Sequence, residues 1–157
     1  MGKTNRTILY GALTVLFLWR EPTAYGKDLA VLVRILYPAF LAEQGSAMCM
    51  VPSIDLSNKD RDVFIDAKNY ADRIKESVSA GLKNDEVQAV LVQAASLARA
   101  EMLRVVQVLK SSPPDKEYAE LFRWCTTTMK PLAENVVRTY YDNPNTIDQM
   151  IATAKQE

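Results

Sequence analysis

The sequence predicts an all-α protein, an up-down bundle of four to five amphipathic helices stapled by one disulfide. Three observations carry that prediction. Apolar residues recur every three to four positions along successive stretches, each closed by Pro, Gly or a polar cluster. No stretch alternates apolar and polar residues with a period of two, and no Asn-Gly or Asp-Gly pair marks a hairpin. The connections are short, which favours antiparallel neighbours and closes the set as a bundle.

The first stretch is expected to lie outside that bundle. Lys3 and Arg6 precede Ile8–Trp19, twelve residues without a charge. As a helix that run reaches ~18 Å, against ~30 Å of bilayer hydrocarbon. Pro22 breaks it, and Ala24-Tyr25-Gly26 places small residues at alternate positions. Basic start, apolar middle and A-x-A-like end form the pattern of a secretory signal peptide. Residues 1–26 are therefore expected to be removed, leaving one helical domain at 27–157. Arg20-Glu21 fits the pattern least; a buried N-terminal helix or an uncleaved anchor are the alternatives. The predicted address is exported, periplasmic or extracellular, with no stable transmembrane segment after processing.

The first helix is predicted over about Lys27 to Met50. Leu29, Leu32, Val33, Leu36 and Phe40 share one face, while Ala30, Val31, Ile35, Ala39 and Ala42 occupy much of the rest. A helix apolar nearly all round is enclosed by its own chain, or it meets a partner or ligand. Pro38 should kink it, and Gly45 should loosen its last turn. Ser57 is placed to cap a second helix, with Asp60 three residues on in the Glu position of a capping box. Phe64, Ala67, Ala71, Ile74 and Val78 make its stripe, and Gly81 stops it. Asn84 opens a third helix, with Asp85 and Glu86 where the helix dipole favours them. Its stripe is Val87, Val90, Leu91, Ala94, Leu97, Ala98, Met102, Val105 and Leu109.

Ser111-Ser112-Pro113-Pro114 is a break, after which Asp115 is placed to cap a fourth helix. That helix carries Tyr118, Leu121, Phe122, Cys125 and Met129. Pro131 should kink or restart it before Leu132, Val136, Val137 and Tyr140 continue the stripe. Residues 142–145 read as a turn, and Thr146 as the start of a short last helix with Ile147, Met150 and Ile151. In an oxidising compartment Cys49 and Cys125 read as one disulfide, joining the end of the first helix to the middle of the fourth.

Composition narrows the function. Nineteen basic residues balance nineteen acidic ones, scattered singly, which argues against nucleic acid as a partner. The chain has no histidine, which removes Ser–His–Asp and Cys–His catalysis and imidazole-based zinc sites. Met48-Cys49-Met50 offers soft ligands for copper, but consecutive helical residues diverge by about 100°. An EF-hand register starting at Asn58 puts Val63 where Gly is needed and Asn69 where Glu is needed. No metal and no cofactor is predicted. Glu101 sits in an apolar stretch and is the one candidate acid, although Arg104 is placed to pair with it.

The leading expectation is therefore a binding protein acting through a protein partner, as an inhibitor, an immunity-type protein or an accessory subunit of an envelope complex; a homodimer fits the same features. A carrier of a lipid or another apolar small molecule is the alternative, and a carboxylate-dependent enzyme around Glu101 the second, with enzymatic activity the less favoured. The candidate partner or ligand surface is Leu36, Phe40, Trp124, Tyr140 and Tyr141, because aromatic and large apolar groups carry most binding hot spots. A carrier requires an enclosed apolar cavity, a partner-binding module an exposed apolar patch.

Overall fold

The structure, a computed structural model, describes residues 27–142 and 144–156, with the backbone alone at Tyr140 and Tyr141. The signal-peptide prediction at 1–26 lies outside the described residues. Among the described residues six α-helices follow one another: α1 (Leu29–Cys49), α2 (Asn58–Ser79), α3 (Asn84–Lys110), α4 (Pro114–Trp124), α5 (Lys130–Asp142) and α6 (Pro144–Gln156). A π-helical turn, Cys125–Met129, joins α4 to α5 without a break, so the bundle has five helical lengths. Among the described residues there is no strand, and no helix is long and apolar enough to cross a membrane.

Helix α1 is the axis of the bundle, with α2 and α3 as its main neighbours and α5 and α6 also against it. Asp28 caps it by accepting from Val31 N at 3.1 Å. Its fully or nearly fully buried residues are Leu32, Val33, Leu36, Ala39, Ala42, Gly45, Ser46 and Cys49, so most of its apolar surface is covered by the chain's own helices. The helix continues through Pro38, which lacks an N–H for the ladder. Gly45 does not loosen the last turn. It lies buried inside the helix, where a Cβ would run into the Met129 side chain, whose Cγ lies 3.1 Å from that position.

The helix starts obey local chemistry. Ser57 Oγ accepts from Asp60 N and donates to the Asp60 carboxylate at 2.8 Å. Glu86 accepts from Lys83 N at 2.8 Å and from the Lys27 ammonium at 2.7 Å. Gly81, at φ 77°, takes the left-handed conformation that follows α2. Two starts differ from expectation: α4 begins at Pro114 and α6 at Pro144, not at a cap provided by Asp115 or at Thr146. Proline at the first helical position lacks an N–H that would have no partner there anyway, and its fixed φ suits the helix.

Direction follows from the ends. Lys27 meets Glu86, and the Lys155 ammonium donates to the carbonyls of Ser77 and Ala80, each at 2.5 Å. The starts of α1 and α3 and the ends of α2 and α6 therefore share one end of the bundle. At the other, Cys49 and Cys125 form a disulfide with their Cα atoms 5.6 Å apart, and both are fully buried. The π turn sits at this staple. Pro131 cannot donate to a carbonyl four residues back, and the Lys130 N–H reaches Cys125 O across the wider turn instead. Thr126 and Thr127 hydroxyls hold carbonyls of the preceding turn, at 2.8–3.1 Å.

Two core clusters result. One joins Leu32, Leu36, Ile74, Val78, Val90 and Ile151. The other surrounds the disulfide with Ile54, Phe64, Met129 and Val136.

Candidate functional site

With α1 committed to the core, apolar surface must be sought elsewhere, and among the described residues half of the exposed large apolar side chains are on α3. This helix buries Val90, Ala94, Ala98, Met102 and Leu109. At about 100° per residue, these define one side of the cylinder. Four large aliphatic residues of the helix are exposed: Val92 is 58% exposed and Leu103 53% on the far side, while Leu97, 49%, and Val108, 67%, lie along the edge of the buried side, on the line of Val90. They form two rows, Val92 with Leu103 and Leu97 with Val108, each pair three turns apart. Between the rows lie Ala89, Gln93, Ser96, Ala100, Arg104 and Gln107, all exposed. The outer face thus sets a strip of small and polar side chains, with Arg104 among them, between two aliphatic rows.

Arg104 is the one charged side chain within that strip, and Glu101 already holds it at 3.2 Å. The same ion pair acts on Tyr37, whose phenol pKa is raised first by burial and then by the Glu101 charge, with Arg104 opposing. That arrangement is a surface ion pair at the edge of a tyrosine. Helix α4 adds apolar surface of its own. It has no buried residue, and Tyr118 and Phe122 are both exposed. Tyr118 is fixed by its hydroxyl, which accepts from Asp55 N at 3.3 Å.

The residues expected to form the surface are distributed differently. Leu36 is fully buried in the first core cluster and offers nothing to a partner. Phe40 is half-buried on the same cluster, with the Lys75 ammonium 5.5 Å from its ring centre. Burial draws the Lys75 pKa down, but the Asp72 and Glu43 carboxylates more than offset this and leave it raised. Trp124 is half-buried against the disulfide cluster with Leu121 and Met50. Tyr140 and Tyr141 belong to α5, and their side chains lie outside the described residues.

Leu97, Tyr118, Phe122 and Met150, expected on buried stripes, are exposed instead. Sequence reasoning missed Val92, Leu103 and Val108 altogether. Their signal was present as aliphatics repeating at 11 residues.

Among the described residues, grooves open to solvent lie at two places. One, of about 430 Å³, is lined by Asp28, Val31, Met150 and Ala154 between α1 and α6. The other, of about 190 Å³, lies between α2 and α5 beside Val63 and Val137. Among the described residues no cluster of three or more Cys, Asp or Glu could hold a metal ion. The Asp60 carboxylate, at the start of α2, binds Lys130 at 2.5 Å, and its pKa is lowered first by that contact and then by Ser57. Comparison with family models, curated proteins and solved structures gives no match to this chain.

Proposed function

We propose that this chain is an exported helical binding protein that works through a protein partner, with the outer face of α3 as its contact surface. The observation that carries the reading is the pair of exposed aliphatic rows on α3, on a helix whose opposite side is anchored in the core. Isolated exposed aliphatics need no explanation, but four on one helix, flanking a strip whose one charge is the paired Arg104, make a patch of the kind partners cover. The disulfide supports the exported address, because such bonds persist in oxidising compartments. The basic start, the apolar run Ile8–Trp19 and the small residues before Lys27 support it from the sequence side.

The test is native mass spectrometry of the full chain expressed with its own N-terminus and recovered from the exported fraction. The expected species starts at Lys27, lacks two hydrogens, and carries the added mass of a protein chain that is lost on denaturation. A few hundred added daltons would favour a small-molecule carrier. A full-length reduced species would contradict export.

A further inference from the structure

We infer that the partner on this face is a second copy of the chain, paired through α3 with α3 antiparallel across a two-fold axis at Ala100. This rests on reading the outer face of α3 as a partner surface and supplies the occupant. The argument is the symmetry of the face itself. In an isologous antiparallel pair, residues equally distant from the axis on either side come level with each other. Leu97 and Leu103 each lie three residues from Ala100, and Val92 and Val108 each lie eight. Leu97 of one copy comes level with Leu103 of the other, and Val92 with Val108, about 4.5 Å and 12 Å along the axis from its centre and on opposite flanks of the contact. Gln93 and Gln107, seven residues away on either side, match in the same way.

Each row is also complementary to its own copy. On one flank Leu97 and Val108 of the two helices alternate along the axis, and on the other Val92 and Leu103 do so. Ala100 at the centre, with Ser96 and Ala89 nearby, lets the backbones approach closely. The charges agree. Between Ala89 and Val108 the strip holds Arg104 alone, already paired with Glu101. At the ends of the face, Asp85 of one copy comes alongside Lys110 of the other, about five residues' rise apart and within reach of a lysine side chain.

A single helix face of about 33 Å by 12 Å covers roughly 400 Å² per copy, about half of what a standard stable interface buries. The dimer is therefore at the weak, concentration-dependent end of such contacts.

The experiment takes the exported, disulfide-intact protein through sedimentation equilibrium from about 1 to 300 µM. Monomer passing to dimer is expected, with association weakened roughly tenfold or more by L103D and unchanged by I65D on α2. A second measurement fixes the geometry. Under mild oxidation A100C should form a covalent dimer, because a residue on the axis meets itself. Q93C should not, because its copies lie about 21 Å apart along the axis, far beyond disulfide reach. A monomer at every concentration, or equal crosslinking of A100C and Q93C, overturns the pairing. If native mass spectrometry then shows a different protein chain bound, the pairing falls and the partner reading stands. A bare monomer in both experiments removes both.

Discussion

Helices α2 and α3 lie against the same central helix and are built alike on the inside. Each gives α1 a stripe of small and branched residues, Ala67, Ala71, Ile74 and Val78 from one, Val90, Ala94, Ala98 and Met102 from the other. Outside they diverge. Helix α2 turns Lys59, Asp62, Asp66, Asn69, Arg73 and Glu76 to water, with Ile65 as its one large exposed aliphatic. Helix α3 turns out Val92, Leu97, Leu103 and Val108, with Ala89, Ser96 and Ala100 between them. The demand of the core explains both inner stripes and neither outer face. The outer face of α2 is what solubility alone favours; that of α3 is costly for solubility and calls for a cover.

The contrast assumes a frame that fixes both helices on α1, and breaking that frame has the largest expected effect. Replacing Cys49 and Cys125 together by Ala opens a cross-link across 76 residues. Chain entropy sets an upper loss of about 4.5 kcal/mol, read as a fall in the urea midpoint. Next comes the inner side of α2. Phe64 is fully buried beside the disulfide cluster, so Phe64→Ala should cost about 3–5 kcal/mol. Leu103→Ala, on the outer side of α3, should shift monomer stability by no more than about 0.5 kcal/mol. A similar cost at both positions would mean that α3 has no free face.

Gly45 tests the staple from within. Its missing side chain admits Met129, so Gly45→Leu should cost about 1–3 kcal/mol by overpacking, with a matching drop in urea midpoint.

Much of this was legible in the sequence, for reasons that particular residues make plain. Ser57, Gly81 and Asn84 were readable because caps and stops depend on local chemistry. Phe64, Ala67, Ala71, Ile74 and Val78 were readable because one helix face is buried, and periodicity reports it. The disulfide was readable from the count, two cysteines in a chain expected in an oxidising compartment. What was not legible depends on neighbours. A one-dimensional pattern shows that α1 is apolar all round, but not whether its own chain covers it, so Leu36 was assigned to a surface and proves to be core. On α3 the outer aliphatics blur a stripe whose inner side is partly alanine, and Leu97 was placed on the wrong face. Lys130 as the partner of Asp60 lies 70 residues away in sequence and leaves no local trace.

The smallest expected effect is in acid, and it compares the starts of the same two helices. Asp60 at the start of α2 has its pKa lowered by Lys130 and Ser57, and Glu86 at the start of α3 by Lys27 and the Lys83 N–H. A carboxyl whose folded pKa lies below its unfolded one contributes stability above the unfolded value, near 4. That contribution is lost as pH falls through the lower, folded value. Thermal unfolding followed from pH 6 down to about 2 should therefore show a decline beginning near pH 4, and D60N should reduce its steepness. An unchanged slope in D60N would detach Asp60 from the acid response.

The most direct test of the claim about α3 puts a photo-reactive amino acid at Leu103 or at Ile65, in cells that export the protein, followed by irradiation and denaturing electrophoresis. A discrete adduct from position 103, running near twice the chain's mass, and none from position 65 is the predicted result. Equal labelling from both positions, or adducts from 65 alone, would show that the outer face of α3 is ordinary surface.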